Sequence, residues 1–170
     1  LCLTVGAALP EIASIWAHNE EEDPQGEDLW LAYGKKYVEW EAAGLRLKAG
    51  PLDPFPAHPV LEERIARDVL AGLAPLKGDA LVDGSAGLGL RSLLMAQKAG
   101  WAYGIEPSPT LLRARENAAL AQLPAEFTGE NLLEALQNPR LQDLRPLLFL
   151  DMGRKELPAE LWAVLKTLSP

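Results

Sequence analysis

One short stretch limits the fold of this chain more than any other: Val82-Asp83-Gly84-Ser85-Ala86-Gly87-Leu88-Gly89-Leu90. It joins a short apolar strand over 80–83 to a helix over 90–99, which Gly100 closes. Gly87 and Gly89 let the backbone turn sharply and approach a ligand with no side chain in the way. The helix that follows points its first amides at whatever lies there. Strand, glycine turn and helix in that order belong to an α/β domain. Many α/β folds carry such a loop, so it fixes a class of fold before it fixes a ligand.

The rest of the chain from His58 onward agrees with that class. Val60, Leu61, Ile65, Val69, Leu70 and Leu73 form one face of a helix. A second strand is predicted over 101–105. Ser108 followed by Pro109 is a helix start, a cap and then proline at the first helical position, and that helix runs to about Leu120. A third strand is predicted over 125–128, a helix over 132–141, a fourth strand over 147–150 and a last helix over 158–168. Leu147–Leu150 has no polar break, as suits a strand buried on both faces. The alternation implies right-handed crossovers and a parallel sheet. The predicted fold is therefore a Rossmann-like parallel sheet with flanking helices over residues 58–170, preceded by a helical and extended arm over 1–57.

The arm reads as four pieces. Residues 1–17 are mostly apolar but hold Pro10 and Glu11, too short and too interrupted for the roughly 20 apolar residues of a membrane span. The first residue is Leu, so a leader has been removed or the start is incomplete. A remnant of a targeting segment, with an organellar location, is one reading; a hydrophobic arm packed on this protein or on a partner is the simpler one. Residues 19–28 form a solvated acidic linker. Residues 29–43 are predicted helical, with Trp30, Tyr33, Tyr37 and Trp40 on one face as a core or partner-docking stripe. Pro51, Pro54, Pro56 and Pro59 mark an extended connector.

Charge narrows the partners. The chain of 170 residues has a net charge of −8. Residues 1–60 carry ten acidic and four basic side chains, against fourteen and twelve in residues 61–170. Binding to bare DNA or RNA needs clustered Lys and Arg, so there is no clear nucleic-acid signal, and a basic partner surface fits better. Cys2 is the single cysteine, which excludes an internal disulfide and a cysteine metal site. His18 and His58 stand forty residues apart, and no metal site is expected.

Glu106 ends the second strand, 23 residues after Asp83. A carboxylate there can accept both hydroxyls of a ribose. A dinucleotide loop would need a third glycine where Ser92 stands. It would also have no use for Asp83 just before the loop, where a pyrophosphate would be repelled. S-adenosylmethionine (SAM) carries an ammonium and a sulfonium, which an acid at that point suits.

These residues resemble the class I SAM-dependent methyltransferases, over roughly the last two-thirds of the chain. Asp83-Gly84-Ser85-Ala86-Gly87-Leu88-Gly89 is similar to the first motif of that family. The resemblance implies that the loop backbone at Ser85, Gly87 and Gly89 holds the methionine end of SAM, Asp83 its amino group and Glu106 the ribose. Glu130 and Asn131, after the third strand, are similar to the acidic position near the adenine. Asp151, after the fourth strand, falls beside the reacting methyl group and is the candidate catalytic residue; a cap or turn role fits it equally.

The sequence departs from the family in several places. Ser85 stands for the usual first glycine. No Pro-Pro-Tyr type run follows Asp151, and no cysteine follows the strands. Methylation of amino groups by that signature, and covalent methylation of a pyrimidine carbon, are therefore unsupported. The family has seven strands in the order 3-2-1-4-5-7-6, and this chain is expected to stop after the fourth and its helix. Strand 147–150 would then be an edge, which needs cover from the arm, a second copy or another subunit. Two functions remain: a SAM-binding methyltransferase domain with an unidentified acceptor, or a non-catalytic scaffold subunit of a larger complex.

Overall fold

The computed structural model describes residues 4, 8–9, 11–18, 29–56, 58–144, 146–151 and 158–168. The acidic linker and Cys2 lie outside the described residues. Two antiparallel strand pairs come first. β1 (Ser14–Ala17) pairs with β2 (Trp30–Gly34), and β3 (Val38–Ala42) pairs with β4 (Leu45–Ala49). The α/β part follows, with α1 (Pro59–Leu73), β5 (Leu81–Asp83), α2 (Leu90–Ala99), β6 (Ala102–Ile105), α3 (Leu111–Ala121), β7 (Ala125–Thr128), α4 (Leu132–Leu136), α5 (Pro139–Leu144), β8 (Leu147–Phe149) and α6 (Ala159–Leu168).

The four later strands form one sheet in the order β7-β6-β5-β8, all parallel. This is the order expected from the sequence, third, second, first, fourth. Among the described residues β8 is an edge. The central strand β5 is buried along its whole length, so Leu81 and Val82 pack on opposite faces. Leu81 joins Met95, Ala96 and Ala99 of α2. Val82 joins Leu136, Leu141 and Leu161 on the other side. Helices on both faces of a parallel sheet are the general solution for such strands.

The predicted helix over 29–43 is corrected by the structure, which places β2 and β3 there. Aromatics three and four apart fit a helix face, but Gly34 breaks the run. It lies at φ +85, and a Cβ on it would stand 2.2 Å from the Ala13 carbonyl oxygen. Burial then follows a period of two in β4, where Leu45, Leu47 and Ala49 are buried and Arg46 is exposed. Ala43 and Gly44 make the turn, both at positive φ, as a two-residue hairpin loop requires. The aromatic helix expected to dock a partner is therefore absent, and Trp40 packs edge-on against Phe55 with ring centroids 4.8 Å apart.

This hairpin is built into the main core. Ala42, Leu45 and Leu47 share a cluster with Ala66, Leu90, Leu93 and Leu94. The Ala43 amide donates to Glu63 Oε2 of α1 at 2.8 Å. Arg113 of α3 donates to Asp53 Oδ2 at 2.9 Å and lies 3.9 Å over the Tyr37 ring, pinning the proline connector.

Smaller corrections concern helix ends. The single helix predicted over 132–141 is two, because Pro139 cannot continue the ladder of α4 and instead opens α5. Ser108 acts one turn before α3: its Oγ accepts from the Thr110 amide at 3.2 Å and its carbonyl from Leu111 at 3.1 Å. Among the described residues no helix is long and apolar enough to cross a membrane.

Gly104 of β6 is closely enclosed by Phe127 of the next strand and Ser92 of α2. A Cβ there would stand 2.5 Å from Phe127 Cδ1 and 2.9 Å from Ser92 Oγ. Gly104→Ala is expected to cost about 1–3 kcal/mol, the range for overpacking a filled interior, read as a lower midpoint in urea. An unchanged midpoint would show that Phe127 moves aside freely.

Candidate functional site

The residues singled out from the sequence converge on the carboxyl ends of the parallel strands. Open α/β sheets bind ligands there, where neighbouring strands send their connections in opposite directions. In this sheet that point lies between β5 and β8: α2, which follows β5, packs on one face, and α6, after β8, packs on the other.

The glycine loop leaves β5 at Asp83 and enters α2 at Gly89. Gly87 and Gly89 both have positive φ, at +52 and +93, so a side chain at either would strain the backbone. They differ in surroundings. A Cβ on Gly87 would meet nothing within 4 Å, whereas one on Gly89 would meet Phe127 Cζ at 3.1 Å. Gly89 thus packs inward and Gly87 faces open space. Gly84 is also crowded, with Leu150 Cδ2 2.3 Å from where its Cβ would stand.

Glu106 closes the loop from the neighbouring strand. Its Oε2 accepts from the Gly87 amide at 2.8 Å and its Oε1 from the Ser108 amide at 3.0 Å. A carboxylate offers about four lone-pair sites, so two amides leave capacity for two further donors. This one side chain both holds the loop and stays able to receive a pair of hydroxyls.

Asp83 sits beneath the loop with none of its surface exposed. Oδ1 accepts from the Ser85 amide at 3.2 Å and Oδ2 from Ser92 Oγ at 2.9 Å. In this geometry it braces the loop from below. Burial pushes its carboxyl above the ordinary 3.8, against the opposing pull of the Arg91 charge and of the two hydrogen bonds. An acid held more firmly protonated in the fold than in the open chain adds stability that is complete below the ordinary value. That stability is lost as pH rises through the folded value. Asp83→Asn removes the ionisation while keeping an oxygen for Ser85. Its stability relative to the natural chain is expected to rise as pH increases above about 4. Urea unfolding at increasing pH measures it; a falling relative stability would mean that Arg91 outweighs burial.

Ser85 Oγ donates to the Asp151 carbonyl at 2.8 Å, so the residue in place of glycine ties the loop to the end of β8. Asp151 itself is exposed. Glu130 is exposed at the end of β7, its amide donating to Thr128 Oγ1 at 3.2 Å. Asn131 serves as a helix cap: its side chain accepts from the Glu134 amide at 3.0 Å, and its own amide donates back to Glu134 Oε2 at 3.4 Å. This reciprocal pair is a capping box. Asn131 Oδ1 is thereby committed to α4.

Reading the sequence missed Arg91 and Glu62. Arg91 Nη1 donates to Glu62 Oε1 at 3.0 Å, and Nη2 donates to the Ser85 carbonyl. The guanidinium lies 5.2 Å from the Phe149 ring centre. The available signal was a cation flanked by the buried Leu90 and Ser92 at the start of a buried helix. Beside the loop, Arg91, Glu62, Gly87, Trp40 and Phe55 line a cleft of about 280 Å³. Among the described residues no group of three His, Cys, Asp or Glu could hold a metal ion.

Comparison with known proteins bears on the fold. A 23S rRNA (uracil(1939)-C(5))-methyltransferase RlmD from Marinomonas posidonica is 30% identical over 115 residues, covering 59% of this chain. A solved structure of Pyrococcus abyssi tRNA (uracil-54, C5)-methyltransferase, in complex with S-adenosyl-L-homocysteine, superposes with a TM-score of 0.69 over 94% of this chain at 16% identity. The chain has the fold of the SAM-dependent methyltransferases. The M. jannaschii tRNA m1G37 methyltransferase gives the same methyltransferase fold at a TM-score of 0.56, over 98% of this chain at 15% identity. This chain spans 26% of the length of the RlmD relative, and 40% and 48% of the two solved methyltransferase chains. No model of a known protein family matches the chain.

Proposed function

We propose that this chain is the SAM-binding part of a methyltransferase that acts on RNA. The observation that carries the reading is Glu106. Its carboxylate bridges the Gly87 and Ser108 amides, at the strand ends where this fold places its ligand, with acceptor capacity left for a ribose. Gly87 faces open space beside it, so the loop backbone is free to approach a bound nucleoside.

The residues present fit SAM better than a dinucleotide. Glu62 and Glu106 put two carboxylates on the open side of the loop, which would oppose a pyrophosphate and suit a cation. When bound, SAM supplies a methyl group on a positively charged sulfur. The chain's own part is to hold and orient: Glu106 at the ribose, Gly87 and its neighbours along the ligand, Glu130 toward the base. Most of the rate gain in such a transfer comes from positioning the acceptor in line with the methyl group. Asp151, tied to the loop through Ser85, is the side chain we assign to the acceptor side.

RNA as acceptor is supported by the names of the relatives, which act on 23S rRNA and on tRNA. The net charge of −8 assigns the residues in hand to the cofactor rather than to phosphate contacts. A scaffold role has one observation in its favour, the unpaired edge of β8 among the described residues; a sharp monomer in analytical ultracentrifugation would count against it.

Calorimetric titration of the purified chain with S-adenosylhomocysteine tests the main reading. Binding in the micromolar range is expected. A folded sample that takes up no ligand would reduce the glycine loop to a feature of the fold.

A further inference from the structure

The family resemblance places the amino group of the ligand on Asp83, yet Asp83 is enclosed and both of its oxygens are engaged. The open side of the loop offers a different acid. Glu62, on the first turn of α1, lines the cleft together with Arg91. The two side chains are 29% and 13% exposed and meet at 3.0 Å. An acid and a guanidinium side by side in a cleft, next to a backbone loop, are matched to a group carrying both charges.

We infer that the Glu62–Arg91 pair receives the α-amino acid end of the cofactor, Arg91 taking its carboxylate and Glu62 its ammonium. This assignment rests on the SAM reading above. Three further observations support it. Arg91 Nη1 and Nη2 each carry a second N–H beyond the one given to Glu62 or to the Ser85 carbonyl, while the buried Nε lies 3.8 Å from Asp83 Oδ2 and anchors the guanidinium from within. Arginine donates in a rigid fork that fits a carboxylate, and the Ser85 carbonyl, which accepts from Nη2, fixes the orientation of that fork. The remaining walls, Trp40 and Phe55 in edge contact, are apolar and suit the methylene chain that joins the amino acid group to the sulfur. Asp83 then acts as a positioning residue, setting the loop through Ser85 and Ser92.

The test compares two ligands on the full chain by calorimetry. S-adenosylhomocysteine carries the amino acid end, and 5′-methylthioadenosine lacks it while keeping the nucleoside and sulfur. Glu62→Gln and Arg91→Lys are each expected to weaken S-adenosylhomocysteine about tenfold, a loss of about 1.4 kcal/mol, and to leave 5′-methylthioadenosine unchanged. Glu62→Gln is the decisive variant should the arginine change disturb folding, because Glu62 is the more exposed partner. Unchanged affinity for S-adenosylhomocysteine in a folded Glu62→Gln would overturn the assignment. So would an equal loss for both ligands, since that would mean the loop has moved as a whole. If the natural chain binds 5′-methylthioadenosine but gains nothing from the amino acid end, this assignment fails and the SAM-type site stands. If it binds neither, the SAM reading fails and takes the assignment with it.

Discussion

Asn117→Ala is expected to lower the unfolding free energy by about 3 kcal/mol, a large loss for a change of a few atoms. Asn117 lies mid-helix in α3 with no exposed surface. Its Oδ1 accepts from the Lys48 amide at 2.8 Å, and its Nδ2 donates to the Lys48 carbonyl at 3.1 Å and to the Leu88 carbonyl at 2.9 Å. One side chain therefore satisfies both backbone groups of a residue in β4 and one carbonyl inside the glycine loop. Alanine leaves all three without partners, and each buried orphan costs about 1–3 kcal/mol. The estimate stays near the lower end of that sum because a water can enter the space left behind. Urea denaturation measures the loss. Asn117→Asp should be worse than alanine at neutral pH, since it keeps the acceptor, loses both donated bonds and buries a charge. A loss under about 1 kcal/mol for alanine would mean that β4 and the loop hold their places without this residue.

The parallel sheet was legible because its signals are local. Each strand is a short apolar run, each turn is marked by glycine or by a cap and proline, and Glu106 stands at a readable spacing from Asp83. The hairpins were not legible, for two reasons. Trp30, Tyr33, Tyr37 and Trp40 have a spacing that a helix would accept, and periodicity cannot report that Gly34 must fit under Ala13. Leu45-Arg46-Leu47-Lys48-Ala49 does alternate, but its partner for one backbone residue is Asn117, 69 positions away. At the site, the glycine loop and the place of Glu106 at a strand end were legible, but the Gly87–Glu106 hydrogen bond was not, and Arg91 and Glu62 are joined across 29 residues by the packing of α1 on α2. Asn131 has a second task that the sequence did not show: its side chain caps α4.

Glu106→Ala is expected to weaken S-adenosylhomocysteine binding by about 1–3 kcal/mol, the range for charge-assisted hydrogen bonds to a buried ligand. The difficulty is that Glu106 has two tasks. It accepts from the Gly87 and Ser108 amides, so alanine removes the ribose acceptor and also loosens the loop. A second ligand separates these. If Glu106 receives the ribose hydroxyls, a 2′-deoxy form of S-adenosylhomocysteine should bind the natural chain more weakly than the parent compound. Glu106→Ala should then bind the two ligands almost equally, because the group that told them apart is gone. Glu106→Gln is no substitute for this comparison, since its amide nitrogen would face an N–H at Gly87 or at Ser108. If the alanine variant binds as tightly as the natural chain, Glu106 is not the ribose ligand. If it binds weakly but still discriminates against the deoxy ligand, Glu106 acts through the loop alone, and the hydroxyls are held by another group at the ends of β6 and β7.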